Sequence, residues 1–184
     1  MSSLVELELA AVDWSTLRAA AGLDARTVPE KVASLVASAS EEEAQQAYWR
    51  LDNFVVVQGQ LFEVAQHLVP VLLAALAGPL SSAAREAIAD LLVEISCGES
   101  DQSELAIGND GLGQACRAAV GEGIWLIHGL LLEQDPCTRR WAVIIIQAAD
   151  PNRDRALRTI SHFAREDPDE SVRKDAQLAL EEMA

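Results

Sequence analysis

The sequence predicts an all-α fold in which helical hairpins stack one against the next as a short α-solenoid. Helix signals, such as a capping residue followed by apolar residues at helical spacing, recur along the chain, whereas strand signals are almost absent. The 184 residues are 50% hydrophobic, which is enough for one sizeable core or for a core spread along a stack. A helical pattern also returns at a fixed interval near the C-terminus, which is typical of repeat architectures.

Residues 1–62 predict a helical cap that packs on the stack. "DWSTLRAAAGL" and "VPEKVASLVAS" favour two short helices, with Gly22 ending the first and Pro29 in the first turn of the second. "SEEEAQQAYWRLDNFVV" begins with Ser40 as the N-cap and Glu43 three residues later, the pattern of a capping box. The apolar run Val55–Val57 continues this helical pattern, so we expect a helix interior rather than a strand.

Residues 63–184 predict about three helical hairpins. Their second helices are "GPLSSAAREAIADLLVEI", "DPCTRRWAVIIIQAA" and "DPDESVRKDAQLAL", which align Arg85, Arg139 and Arg173. The last two copies lie 173 − 139 = 34 residues apart, and His128 and His162 in the first helices lie 162 − 128 = 34 apart. Both helices of the hairpin therefore repeat in register. A single hairpin cannot bury its apolar face alone, so neighbouring hairpins must stack.

The interval between the first two copies is longer, at 139 − 85 = 54 residues. The excess is an acidic loop, "CGESDQSELAIGNDGLGQ", at residues 97–114. The arginines at the repeat position are expected to form an internal ladder with carboxylates such as Asp167 or Asp135. The run Ile144–Ile146 is read as a helix interior that faces neighbours on several sides.

The last repeat resembles a known family of repeats. Its Asp-Pro start, an Arg after a branched residue, and Ala and Leu at helical spacing are similar to the second helix of HEAT repeats. The resemblance covers roughly residues 63–183. It implies a right-handed superhelix of antiparallel helix pairs, with second helices lining a concave face that is used for protein binding. The N-terminal helices would then cap the open end of the core.

The charge balance limits the possible partners. Asp and Glu number 29 against 14 Lys and Arg, giving a formal net charge of −15. Nucleic acids and anionic membranes are disfavoured, because both are bound mainly through basic side chains. A basic protein would instead be attracted. With no apolar run of about 20 residues and no basic leader at the start, we expect a cytoplasmic protein, as a monomer or weak oligomer.

Metal and cofactor chemistry is not expected. The three cysteines lie at spacings that match no zinc pattern and are interpreted as small buried residues: Cys97, Cys116 and Cys137. The histidines fall in the first helices of successive hairpins, about 10 Å apart, so they do not converge on one metal ion. None lies in the His-Glu pair of the metal-binding hydroxylases of HEAT-like build. No catalytic residue is assigned.

Two stretches are the candidate partner-binding sites. A loop as long as 97–114 is seldom without a role, and its acids lie close in sequence to an acidic pair spaced i,i+4 on a helix. Tyr48 and Trp49 lie in "AYWRLDNFVVVQGQLFE", where they either anchor a partner or belong to a hydrogen-bonded bracket between the cap and the first repeat. The predicted acidic site residues are Glu99, Asp101, Glu104 and Asp110 in the loop, with Asp90 and Glu94 before it.

These features favour a non-enzymatic protein-binding module. The leading hypothesis is an acidic immunity or antitoxin-type inhibitor of a basic toxin, for example a nuclease. One alternative is a scaffold or adaptor that binds peptides in its concave groove, with affinity that depends little on salt. Another is a cryptic enzyme similar to the HEAT-like DNA glycosylases, but these use a basic concave surface, which the acid excess contradicts.

Overall fold

The protein is described by a computed structural model that covers residues 3–184 and is mostly helical. The predicted all-α class is confirmed. The helices are α1 (Leu4–Ala10), α2 (Val28–Val36), α3 (Glu41–Val55), α4 (Val64–Leu76), α5 (Ser82–Cys97), α6 (Gln102–Leu105), α7 (Leu112–Glu122), α8 (Ile124–Leu130), α9 (Pro136–Ala149), α10 (Arg153–Glu166) and α11 (Glu170–Met183). The two-residue strands are β1 (Val56–Val57), β2 (Gln60–Leu61) and β3 (Glu99–Ser100).

The segment between α1 and α2 differs from the expected short helix. Asp13 and Asp24 each accept a hydrogen bond from the backbone two residues later, at 3.1 and 3.0 Å, and such local bonds favour tight turns over a continuous helix. By contrast, α2 forms as predicted, with Pro29 in its first turn. Single 3₁₀ turns at Trp14–Thr16 and Ala20–Gly22 replace the first helix, and a third at Ala25–Thr27 leads into α2.

The Val55–Val57 run is not a helix interior, and that prediction is wrong. The helix α3 ends at Val55, and β1 then pairs antiparallel with β2, with Val56 opposite Leu61. The turn works because Gln58 and Gly59 both adopt positive φ, 52° and 75°, which suits a two-residue hairpin. On its other side β2 pairs in parallel with β3. The sheet therefore bridges the predicted boundary between residues 62 and 63.

Two rows of helices make up most of the molecule. Helices α3, α5, α9 and α11 pack side by side in that order, while α1, α4 and α7 pack in a second row. Helices α8 and α10 pack on α9 and α11, respectively, as the two arms of hairpins. One cluster of buried apolar side chains, including Leu51, Leu72, Leu92 and Ile145, runs through these elements. The first helix expected to contain His128 is divided at Gly123 into α7 and α8.

The arginines at the repeat position make equivalent contacts in the last two hairpins. Arg139 donates through Nη1 to the carbonyl oxygens six and five residues before it, at 2.9 and 2.8 Å, and Arg173 does the same at 2.7 and 3.1 Å. Arg139 also donates twice to Asp167, at 2.9 Å each, which confirms the expected pairing with this carboxylate. Arg85 instead pairs with Glu133 at 3.3 Å.

The acidic loop is ordered around a buried carboxylate. Arg18 donates to both oxygens of Glu104, at 3.1 and 2.8 Å, and Asn109 donates at 2.7 Å. Burial would raise the pKa of Glu104, but these donors outweigh it and hold the pKa below its usual range. The side chain is 1% exposed, so the prediction of Glu104 as a partner-binding residue is wrong: its carboxylate joins the N-terminal segment to the loop inside the molecule.

Candidate functional site

A groove of about 650 Å³ lies between α3 and α5, with the start of α9 contributing to its wall. This acidic groove exists because α3 and α5 are neighbours in the helix row, and small alanines on both helices leave space between them. None of the lining residues in the described part of the chain is basic. Its charged lining residues are five acids: Glu41, Glu42, Glu86, Asp90 and Asp135.

The acids of α5 form a stripe along one helix face. Glu86, Asp90 and Glu94 follow one another at i,i+4 spacing, which places their side chains on the same side of the helix. On α3, Tyr48 and Asp52 have the same spacing and lie near this stripe. Like charges at i,i+4 destabilise a helix, so the stability of α5 does not explain the presence of this stripe.

Four of these groups form a partly buried cluster: Tyr48, Asp52, Asp90 and Glu94. Burial, then Glu94 and Asp52, raise the pKa of Asp90 from 3.8 to about 6. Burial and then Glu94 raise the pKa of Asp52 to about 6 as well. The hydroxyl of Tyr48, which faces Asp90, has its pKa raised far above the ordinary value by burial and by these three carboxyls. The cluster thus concentrates negative charge in a place that water screens incompletely.

Aromatic side chains lie beside the cluster. Tyr48 is 8% exposed, whereas its neighbour Trp49 is 52% exposed, and both line the groove. Their ring centroids are 5.2 Å apart with planes at 82°, an edge-to-face contact that fixes the Trp49 ring against a buried support. A large exposed aromatic ring held in this way is suited to contact a ligand.

The other part of the groove brings a thiol next to two carboxylates. Ligand atoms of Glu86, Asp135 and Cys137 lie within 4.8 Å of one another, so these three residues could coordinate a divalent metal ion. One Asp135 oxygen is already engaged, because it accepts bonds from the backbone and hydroxyl of Thr138 at 2.7 Å as the N-cap of α9. Burial, then Glu86 and Asp135, raise the pKa of the Cys137 thiol. The thiol is therefore a poor nucleophile at neutral pH.

The structure separates the predicted site residues into two groups. Tyr48, Trp49 and Asp90 line the groove, and Glu94 adds to its field from the next turn of α5. The loop residues lie elsewhere: Glu99 is exposed and pairs with Arg117 at 3.1 Å, Asp101 caps α6, and Asp110 is exposed. Glu104 is buried and contributes to no surface.

Several groove acids were missed from the sequence. Glu86 extends the Asp90 and Glu94 stripe by one turn, and its i,i+4 position could have revealed it. Glu41 and Glu42 directly follow the N-cap Ser40, where acids favour the start of a helix, so their position in the sequence does not indicate a groove. Asp135 comes into the groove by tertiary packing of α9 against α5, which no local pattern indicates.

Comparison of this chain with protein families, with curated proteins and with solved structures finds no match. None of the described helices is long and apolar enough to cross a membrane.

Proposed function

We propose that this chain is a cytoplasmic, non-enzymatic α-solenoid that binds a basic protein in the acidic groove, and that it acts as an immunity or antitoxin-type inhibitor of a basic toxin. The observation that carries the proposal is the groove itself, with five acids, two aromatic residues and no basic residue among the described side chains that line it. The net charge of −15 adds long-range attraction for a basic partner.

The helix contacts support the proposed α-solenoid arrangement. Second helices of successive hairpins, α5, α9 and α11, pack in sequence order. Arg139 and Arg173, which are 34 residues apart, donate to carbonyls at the same offsets before their helices. A repeated backbone contact of this kind is what stacked copies of one supersecondary unit would share.

The distribution of the acids supports binding rather than catalysis. A reaction centre gathers its groups around one reacting atom, whereas Glu86, Asp90 and Glu94 extend over two helical turns. An extended stripe of one charge sign complements a partner surface that carries several basic side chains. The exposed Trp49 supplies the apolar contact that interface centres usually contain.

The test is capture of a partner from the host of this chain by a variant with a neutralised groove. The variant Glu86→Gln, Asp90→Asn, Glu94→Gln is compared with wild type and with a control of equal net charge. The control neutralises three exposed acids outside the groove, Glu122, Glu166 and Glu181. We expect wild type and control to capture a basic protein and the groove variant to lose it.

Inhibition is measured separately. Expression of the captured protein should be toxic to host cells, and co-expression of wild type should suppress the toxicity, whereas the groove variant should not. Equal capture by the groove variant and the control contradicts the groove as the binding site. A captured partner that is not toxic contradicts the inhibitor role and leaves a binding module.

The exposed Trp49 and the alanines of the groove also favour an adaptor that binds a neutral peptide. The two functions differ in their response to salt, because charge attraction is screened and apolar contact is not. Affinity that falls steeply with ionic strength supports the inhibitor of a basic protein, and affinity that is nearly constant supports the adaptor.

A further inference from the structure

One part of the acidic groove combines aromatic and acidic groups at short range. Tyr48, Trp49 and Asp90 line it, and Asp52 and Glu94 act on the same groups from neighbouring turns. These five residues are called the Asp90 subsite. An aromatic face next to carboxylates is the chemistry that recognises an organic cation.

The Asp90 subsite has acceptors without matching donors. Tyr48 is more than nine-tenths buried, and its hydroxyl lies near the carboxyl of Asp90. The hydroxyl oxygen can also accept a bond, and Asp52 and Asp90 offer carboxylate oxygens. The charged groups that act on Asp52 and Asp90 are acids, so a donor with positive charge would complete the arrangement.

We propose that the Asp90 subsite binds one arginine side chain of the partner, with its guanidinium paired to Asp90 and stacked on Trp49. This inference rests on the proposed binding of a basic protein in the groove. A guanidinium presents five donors in a plane, stacks on aromatic rings and is more weakly hydrated than an ammonium. It therefore loses less hydration free energy than lysine on entering a half-buried site.

The same chain contains an internal example of this arrangement. The guanidinium of Arg155 lies over the Trp125 ring, 4.5 Å from its centroid, and Nε donates to Asp150 at 2.9 Å. Burial would raise the pKa of Asp150, but Arg155 and His128 hold it below the usual range. In the Asp90 subsite the tryptophan and the carboxylates are present, and the pKa of Asp90 is raised instead. The partner would supply the missing cation.

Oligo-arginine and oligo-lysine peptides of equal length are the probes, and calorimetry at low ionic strength measures their affinities. We expect the arginine peptide to bind wild type about tenfold more tightly than the lysine peptide, because only guanidinium gains both stacking and paired bonds. Asp90→Asn and Trp49→Leu should each abolish this difference. The control Glu122→Gln, an exposed acid outside the groove, should weaken both peptides equally and by about twofold or less.

A second measurement locates the peptide. The indole N–H resonance of Trp49, assigned by its loss in Trp49→Leu, should shift with the arginine peptide and much less with the lysine peptide. Circular dichroism confirms that each variant is folded. Equal affinities for the two peptides, or an Asp90→Asn variant that behaves like Glu122→Gln, would overturn the arginine subsite and leave the proposed function standing. Absence of binding by both peptides would overturn both the arginine subsite and the proposed function.

Discussion

Replacing Asp90 by asparagine should stabilise the folded protein at neutral and alkaline pH. Burial, then Glu94 and Asp52, raise the pKa of Asp90 to about 6 in the folded state, from 3.8. Between these pH values the folded protein holds a proton that the unfolded chain has released. The free energy of unfolding of wild type therefore falls as the pH rises from about 4 to about 6 and then stays level. Asparagine has a similar shape and does not titrate, so the free energy of unfolding of the variant lacks this decrease.

The magnitude follows from the two pKa values. Each tenfold change in proton affinity corresponds to about 1.4 kcal/mol, so the difference between 3.8 and about 6 sets an upper limit of about 3 kcal/mol. The groove is open to solvent, which screens part of this interaction, so we expect about 1–2 kcal/mol. For a chain of this size, that gain raises Tm by roughly 2–8 °C.

Urea unfolding followed by circular dichroism tests this expectation at about pH 8 and about pH 4. At the higher pH, Asp90→Asn should be more stable than wild type and than Glu122→Gln, which removes an exposed charge outside the groove. At the lower pH, the advantage should nearly disappear because Asp90 is protonated in wild type as well. An Asp90→Asn variant that is no more stable than Glu122→Gln at about pH 8 would refute the reasoning.

Four further substitutions test the fold by the same unfolding measurement. Gly113→Ala should lower the free energy of unfolding by about 1–3 kcal/mol, because a Cβ there would lie 2.7 Å from a backbone oxygen. Gly129→Ala, on α8 with open space around it, should instead raise the free energy of unfolding by about 0.5–1 kcal/mol. Arg18→Met should cost about 2–3 kcal/mol, because it removes the cation from buried Glu104, and the cost should disappear at acid pH once Glu104 is protonated. Arg139→Lys should cost about 3 kcal/mol, because lysine cannot reproduce its paired bonds; a loss below 1 kcal/mol would contradict a structural role.

The helices were predictable because their signals are local. Ser81 caps α5 and Gly98 follows its end, so a helix from about Ser82 to Ser96 could be predicted to within a residue of the observed end. Asn152 and Asp169 cap α10 and α11 in the same way. Capping bonds lie within a few residues, which is why the sequence alone indicates them.

The features that were missed depend on distant partners. Val56 and Val57 are apolar in either a helix or a strand, and pairing with a strand from residues 60–61 decides between them, although Gly59 after a polar residue was a usable turn signal. Glu104 reads as one more acid in an acidic loop until Arg18, 86 positions away, is placed beside it. The sequence identified four residues of the site individually, namely Tyr48, Trp49, Asp90 and Glu94. Their proximity depends on the packing of α3 against α5.

The contrast between paired and unpaired acids is the strongest reason to assign a role to the groove. Where this chain buries a carboxylate elsewhere, it provides an arginine, as for Asp150, Asp167 and Glu104. Asp52 and Asp90 are partly buried, and acids rather than arginines act on them. An arrangement that lowers folding stability persists when activity depends on it, and attraction of a cationic partner is the activity that such a field supplies. An Asp90→Asn variant that is more stable than wild type but no longer binds the partner would show that the same carboxylate lowers folding stability and supports binding.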